Sequence, residues 1–438
     1  MDYSRHRGPR NLRVWTTRRG GSRSTADSGR IFFVHTLLLA LFLGQTAPPV
    51  NYDESKVGTY TLPDPLKMEN GQPVRTSSDW EKKRRPELIK LFETNMHGRV
   101  PEAARRAKVT YEVVESSRDA LGGKAIRKQV RMHFGAGHDV TILMYLPAAS
   151  LPAPVFLALN FTGNHTIQPD PAILLPEIWD AKTKTHHTAH ATSRTASNQW
   201  QVPAMIARGY GLATIYYNEI EPDFDGGVEF GIRSLYPKPA ADEWGAMAAW
   251  AHGLSRAMDY LVTDRDVDPK RVAVMGHSRL GKTALWAGAE DTRFAMVVAA
   301  GSGEGGAALA RRDYGETILL VNQRFPHWTC ANYKKYSNDA SKLPFDQHEL
   351  LSLIAPRPLY LAAAEEDRWA DPRGEFLSAI AAGPVYKLFG KQSVEGADMP
   401  ALEKPIMNTV GFHIRPGKHE VTTYDWDRFL DFADKRLK

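Results

Sequence analysis

Gly276-His277-Ser278-Arg279-Leu280-Gly281-Lys282-Thr283-Ala284 is the stretch on which the reading of this chain turns. It follows Val272-Ala273-Val274-Met275, four apolar residues that suit a short buried strand, and it opens a segment that suits a helix. A serine squeezed between strand and helix needs small neighbours, because the tight turn forces two backbones together. In return its hydroxyl is exposed and the helix amides point at the same spot. The stretch therefore reads as a nucleophile elbow. The common spacing Gly-x-Ser-x-Gly is not met, since Leu280 stands at its last position and Gly281 comes one later. By itself the pattern weighs no more than a coincidental serine, and partners elsewhere in the chain must decide.

Outward from the elbow, residues 124–134 alternate polar and apolar, and 140–146, 155–161 and 211–218 are apolar runs of strand length. Residues 295–300, 359–364 and 410–415 add three more. Across 243–263, Trp244, Met247, Ala251, Leu254, Met258 and Leu261 fall at helical spacing, and Trp426, Phe429, Leu430 and Leu437 mark a closing helix. An earlier helix is predicted over 80–97, with Pro86 near its start. Strands alternating with helices predict an α/β fold, a mostly parallel central sheet with helices on both faces, with function at the carboxyl ends of the strands. An α/β-hydrolase presents its triad in the chain order serine, acid, histidine. Here the run 359–364 ends in Glu365-Glu366-Asp367, and His419 sits in Pro416-Gly417-Lys418-His419-Glu420, before the closing helix. The bland alternatives are a solvated acidic strand end for Asp367 and a surface-loop histidine for His419.

The 438 residues, 42% hydrophobic and 24% charged, exclude disorder and fibrous classes, and the single Cys330 excludes an internal disulfide. The net charge of +6 is all accounted for within residues 1–30, where eight arginines face Asp2 and Asp27, so the remainder is formally neutral and gives no footprint for nucleic acid. That basic stretch runs into the uncharged apolar residues 31–44, then Gln45, Thr46 and Ala47, the order of a secretory signal. Fourteen residues fall short of the ~20 that span a bilayer, so an export signal over 1–47 is expected rather than an uncleaved anchor. An N-terminal arm and helix over 48–108 should pack on a catalytic domain over 109–438. The chain shows no internal repeat.

Gly276, Ser278, Arg279, Gly281, Lys282 and Ala284 together fit Gly-x-Ser-Arg-x-Gly-Lys-x-Ala. With similar stretches at 159–165, 303–311, 325–328, 343–348 and 417–426, the chain resembles the glucuronoyl esterases, carbohydrate esterase family fifteen, from about Trp80 to its end. The resemblance implies a serine esterase that cleaves, through an acyl-enzyme, the ester between a (4-O-methyl-)glucuronic acid of glucuronoxylan and a lignin alcohol, with no metal or cofactor. It implies Ser278 as nucleophile, His419 as base and Arg279 as oxyanion donor through its N–H and guanidinium. Lys282, Glu316, Gln323 and Trp369 match residues that hold the uronate hydroxyls and sugar face. Many members carry the triad acid at the position of Gly301. This chain does not, so Asp367 is expected to serve, with Glu304 as an outsider. Surface positions for Arg279, Glu316 and Gln323 and a core position for Trp369 are the plain alternatives.

His186, His187 and His190 read as a polar loop rather than a metal cluster, because no acid or cysteine lies close in sequence. Asn160-Phe161-Thr162 and Asn164-His165-Thr166 fit the glycosylation pattern but lie where glycans would obstruct the site, and Cys330 reads as a packing residue. The rival functions are an acetyl xylan or other carbohydrate esterase on the same fold, and a catalytically silent carbohydrate-binding protein. The mature protein is expected to be secreted or periplasmic, with no stable membrane insertion once the signal is removed, and to begin near residue 45–50. N-terminal sequencing of native material checks this, and an intact Met1 refutes cleavage.

Overall fold

The computed structural model describes residues 50–195 and 199–438; the expected export signal lies outside the described residues. Ten strands form one sheet: β1 (Thr110–Asp119), β2 (Ala125–His133), β3 (Asp139–Pro147), β4 (Ala153–Asn160), then β7 (Gly211–Tyr216), β8 (Val267–His277), β9 (Met296–Ala300), β10 (Leu359–Ala364), β11 (Ile406–Met407) and β12 (Val410–Arg415). A separate hairpin joins β5 (Glu177–Asp180) to β6 (Thr185–Thr188). The sheet order is β1-β2-β3-β7-β4-β8-β9-β10-β12-β11. From β7 to β12 every neighbouring pair is parallel, and antiparallel strands flank this block on both sides.

Most of the parallel strands read as apolar runs because both faces are covered, whereas β8 is apolar only over 272–275, its first half carrying Asp268, Lys270 and Arg271. Alternation persists within them: Val155, Leu157 and Leu159 of β4 enter one core, with the helices Ala246–Leu261 and Arg279–Glu290, while Phe156 and Ala158 enter the other, with Thr423–Arg436. Val272 and Val274 of β8 oppose Ala273 and Met275 in the same way. The fold is an α/β-hydrolase. No helix among the described residues is long and apolar enough to cross a membrane.

Several elements depart from expectation. The helix predicted from 80 begins at Ser77, where Thr76 Oγ1 accepts from the Asp79 N–H at 3.0 Å, so Pro86 lies in its interior. The backbone widens to a π-turn over Trp80–Arg84 just before that proline, whose ring would otherwise clash with the carbonyl four residues earlier. β1 and the β5–β6 hairpin had no signal, because their residues are mostly exposed on both sides and show no apolar period.

The early helix is tied to the core by Phe92 stacking on Phe345 at 3.9 Å and by a buried ion pair, Arg84 to Glu349 at 2.7 Å. Burial pushes the Glu349 carboxyl up to about 7, against the pull of Arg84. The native state thus holds this proton to higher pH than the unfolded chain, so Glu349 subtracts stability as pH rises from 4.5 toward 7. Arg84→Met strands the carboxylate and should cost roughly 3 kcal/mol at pH 8. At pH 5, where the carboxyl keeps its proton, the loss should be clearly smaller. Urea denaturation at the two pH values reads the difference.

Candidate active site

Ser278 joins β8 to the helix Arg279–Glu290 with φ 58° and ψ −133°, a strained backbone for a residue with a side chain. A Cβ at Gly276 would lie 1.9 Å from the Leu280 carbonyl oxygen, so only glycine lets strand and helix approach this closely. At the other end of the turn, a Cβ at Gly281 would lie 3.1 Å from Ser302 Cβ. The close approach therefore falls at 281, and Leu280 is free to be a core residue, 1% exposed. That explains the displaced second glycine.

His419 and Asp367 come together from the loops after β12 and β10. His419 Nδ1 is 2.6 Å from Asp367 Oδ2, and the acid is buried while the histidine is exposed. The imidazole lies 4.5 Å, centre to centre, from that of His277, which precedes the elbow serine. Gly301, at the carboxyl end of β9, has φ +50°, and a Cβ there would lie 3.0 Å from Asp367 Oδ2 and 3.3 Å from His419 Nδ1. Two strand ends thus converge on one ring nitrogen, and glycine on one leaves it to the acid on the other. Glu304 faces elsewhere: its buried carboxyl accepts from the Tyr333 hydroxyl, and burial pushes it up to about 8.

The Arg279 guanidinium is fixed rather than free on the surface. It lies 4.9 Å from the Trp328 ring centre, 5.5 Å from Phe325 and 5.7 Å from Phe161. Its ion pair is with Asp223, which also accepts from Tyr217 at 2.9 Å and Trp328 Nε1 at 2.6 Å and bonds His327 Nε2 at 2.8 Å. Burial alone would raise the Asp223 pKa, but His327 and the Arg279 charge outweigh it and hold the carboxyl well below the usual range. Asp223 was missed by sequence reasoning. Nothing in Pro222-Asp223-Phe224 marks it locally.

Lys282 and Glu316 form a buried ion pair at 2.5 Å, and the Lys282 ammonium also donates to the Glu304 carbonyl. The surface alternative for Glu316 is thereby overturned. The Glu316 N–H donates to the Trp369 carbonyl at 2.8 Å, which brings Trp369 beside the pair. Its ring is half-buried, not core, with the Arg324 guanidinium 4.9 Å from its centre. Gln323 is exposed on the helix Ile318–Arg324, and among the described residues no hydrogen bond joins it to Lys282 or Glu316.

Asn160 and Asn164 are buried and bonded to each other at 2.8 Å, and Asn164 reaches the Thr141 carbonyl, so both shape the loop after β4. Cys330 is buried, and burial pushes its thiol up to about 11. One expectation needs correcting: His186 and His187 lie not in a loop but on β6, whose pairing with β5 brings Glu177 to 3.0 Å from His186. Cross-strand pairing, invisible in the linear spacing, puts it there.

The fold, the strained elbow and the acid–histidine pair define an α/β-hydrolase. A family model described as glucuronyl esterase, fungi, matches residues 183–390. Carbohydrate esterase MZ0003, from an unknown prokaryotic organism, is 48% identical over 88% of this chain and 92% of its own. A solved glucuronoyl esterase from Solibacter usitatus is 49% identical, covers 88% of this chain and 100% of its own, and superposes with a TM-score of 0.84. A solved CE15 esterase from a marine bacterial metagenome, described as promiscuous, gives 47%, the same coverage and 0.82. The chain belongs to the glucuronoyl esterases of carbohydrate esterase family 15. It is a carboxylic ester hydrolase, which sets aside the silent carbohydrate-binding alternative.

Proposed function

We propose that the protein hydrolyses the ester between a (4-O-methyl-)glucuronic acid of glucuronoxylan and a lignin alcohol, outside the cytoplasm, with Ser278, His419 and Asp367 as its triad. The 2.6 Å bond between His419 and Asp367, beside the Ser278 elbow, carries this reading. Asp367 on Nδ1 directs the free lone pair to Nε2, which takes the serine proton as Oγ attacks the uronate carbonyl. The negative charge on that oxygen meets the Arg279 N–H, which has no intrahelical acceptor at the first position of its helix, and the guanidinium anchored by Asp223. The imidazolium returns its proton to the departing alcohol. Water then attacks the acyl-enzyme by the same route, releasing the uronic acid and restoring the serine.

An esterified uronate has no carboxylate charge, so recognition must come from its hydroxyls and ring face. Lys282 and Glu316 supply charged partners, Trp369 an aromatic plane and Gln323 an amide at the rim. The marine relative described as promiscuous favours a second reading, wider acceptance of esters.

Asp367→Ala should lower kcat by about 10⁴, the scale seen when a serine protease triad loses its acid. Glu304→Ala should change kcat far less. The reverse ranking in steady-state assays would move the acid to Glu304. For the sugar side, both Ala and Gln at 316 remove the counter-charge of the buried Lys282 ammonium, but Gln keeps an oxygen to accept from it and fills the same space, so Glu316→Gln is the sharper probe. It should lower kcat/KM on benzyl glucuronate about ten- to a hundredfold while leaving an aryl acetate nearly unchanged. Equal losses on both would remove Glu316 from the sugar site and favour the general esterase.

A further inference from the structure

Between the acid–histidine pair and the Lys282–Glu316 pair runs the turn Gly301-Ser302-Gly303. Gly301 and Gly303 both have left-handed φ, +50° and +57°, and glycine is the residue with the widest choice of backbone angles, so the turn does not hold its own shape. Its position nevertheless matters at both ends. A Cβ at Gly301 would lie 3.0 Å from Asp367 Oδ2, and one at Gly303 would lie 3.2 Å from Glu316 Oε2. The next residue, Glu304, offers its carbonyl to Lys282.

The turn is held from below by one carboxyl oxygen. Glu375, on the helix Pro372–Ala381, accepts at Oε1 from Ser302 N at 2.7 Å, Ser302 Oγ at 2.9 Å and Gly303 N at 3.0 Å. The Ser302 hydroxyl in turn accepts from the Ala307 N–H at 2.9 Å. Glu375 is 1% exposed, and its Oε2 has no hydrogen-bond partner. An ionised carboxylate would leave charge unpaired in the interior, which favours the neutral acid. Burial, aided by the Asp367 charge, pushes its pKa up to about 8, in the same direction.

We propose that Glu375 is a positioning residue whose Oε1 clamps the 301–303 turn and so sets the spacing between the acid–histidine pair and the sugar-binding pair. The proposal rests on Ser278, His419 and Asp367 being the triad. Its element of chemistry is an acceptor at a fixed point, not a charge, and Glu and Gln supply that point equally.

The test compares Glu375→Gln, Glu375→Asp and Asp367→Ala in the full chain, reading thermal midpoint, kcat and KM on benzyl glucuronate and on an aryl acetate. Gln keeps an oxygen for all three donors and should retain near wild-type kcat and KM. Asp draws the acceptor back by one methylene. It should lower kcat on both substrates about ten- to a hundredfold in protein that is still folded, since small misplacements at a reacting site have effects of that size. KM should rise for the glucuronate alone. A lower midpoint with unchanged kcat in Glu375→Asp would make the role merely structural and overturn the proposal. Gln as damaging as Asp would overturn it too. If Asp367→Ala is crippling while Glu375→Asp is silent, the clamp fails and the triad stands. If Asp367→Ala is silent, the triad reading fails and takes the clamp with it.

Discussion

Two backbones touching at Gly276 is the constraint on which the rest of the site depends. With no room for a Cβ beside the Leu280 carbonyl, β8 and the following helix share one tight corner, and Ser278 must turn that corner at φ 58°. Such a conformation costs on the order of 1–3 kcal/mol and persists only where its surroundings impose it. Here the Ser278 N–H donates to the Ala300 carbonyl of β9 at 2.9 Å, and the helix that follows is buried along most of its length. The sheet and its covering helices absorb the strain, and the serine hydroxyl stands at the carboxyl edge of the sheet, where loops from neighbouring strands can reach it.

Around that corner polar side chains come in pairs drawn from distant parts of the chain. Asp223 holds Arg279 from 56 residues away, Glu316 holds Lys282 from 34 and Asp367 holds His419 from 52. For the two ion pairs, removing water offsets much of the attraction, so their worth lies less in net stability than in geometry: each fails badly when one member is lost. Arg279 shows the principle most fully. An aromatic surround of Trp328, Phe325 and Phe161 and a carboxylate with several other partners leave the guanidinium little freedom.

Glycine at 301 leaves the His419 ring nitrogen to Asp367, although two strand ends reach it. β9 and β10 are adjacent and parallel, with Ala300 opposite Ala362, so their carboxyl ends finish side by side under His419. An acid on one needs only a small residue on the other.

Much of this was legible in the sequence. Strands covered on both faces are largely apolar, so β4, β7, the second half of β8, β10 and most of β12 stood out as runs, and chain order alone offered Ser278, Asp367 and His419 as a set. Those features are local or ordinal, and a linear text carries them. β1 and the β5–β6 hairpin lie on the exposed margin, where no burial period is imposed, and they left no trace. Polar partners distant in the chain were hidden as well. Asp223, Glu375 and the Glu177 neighbour of His186 have ordinary surroundings in sequence, because what selects them is the position of a donor brought close only by folding. The sequence by itself determined the layers, the elbow and the chemical types available. Tertiary structure decided which carboxylate meets which cation, since a desolvated charge needs a partner at hydrogen-bond distance and that distance exists only once the sheet has closed.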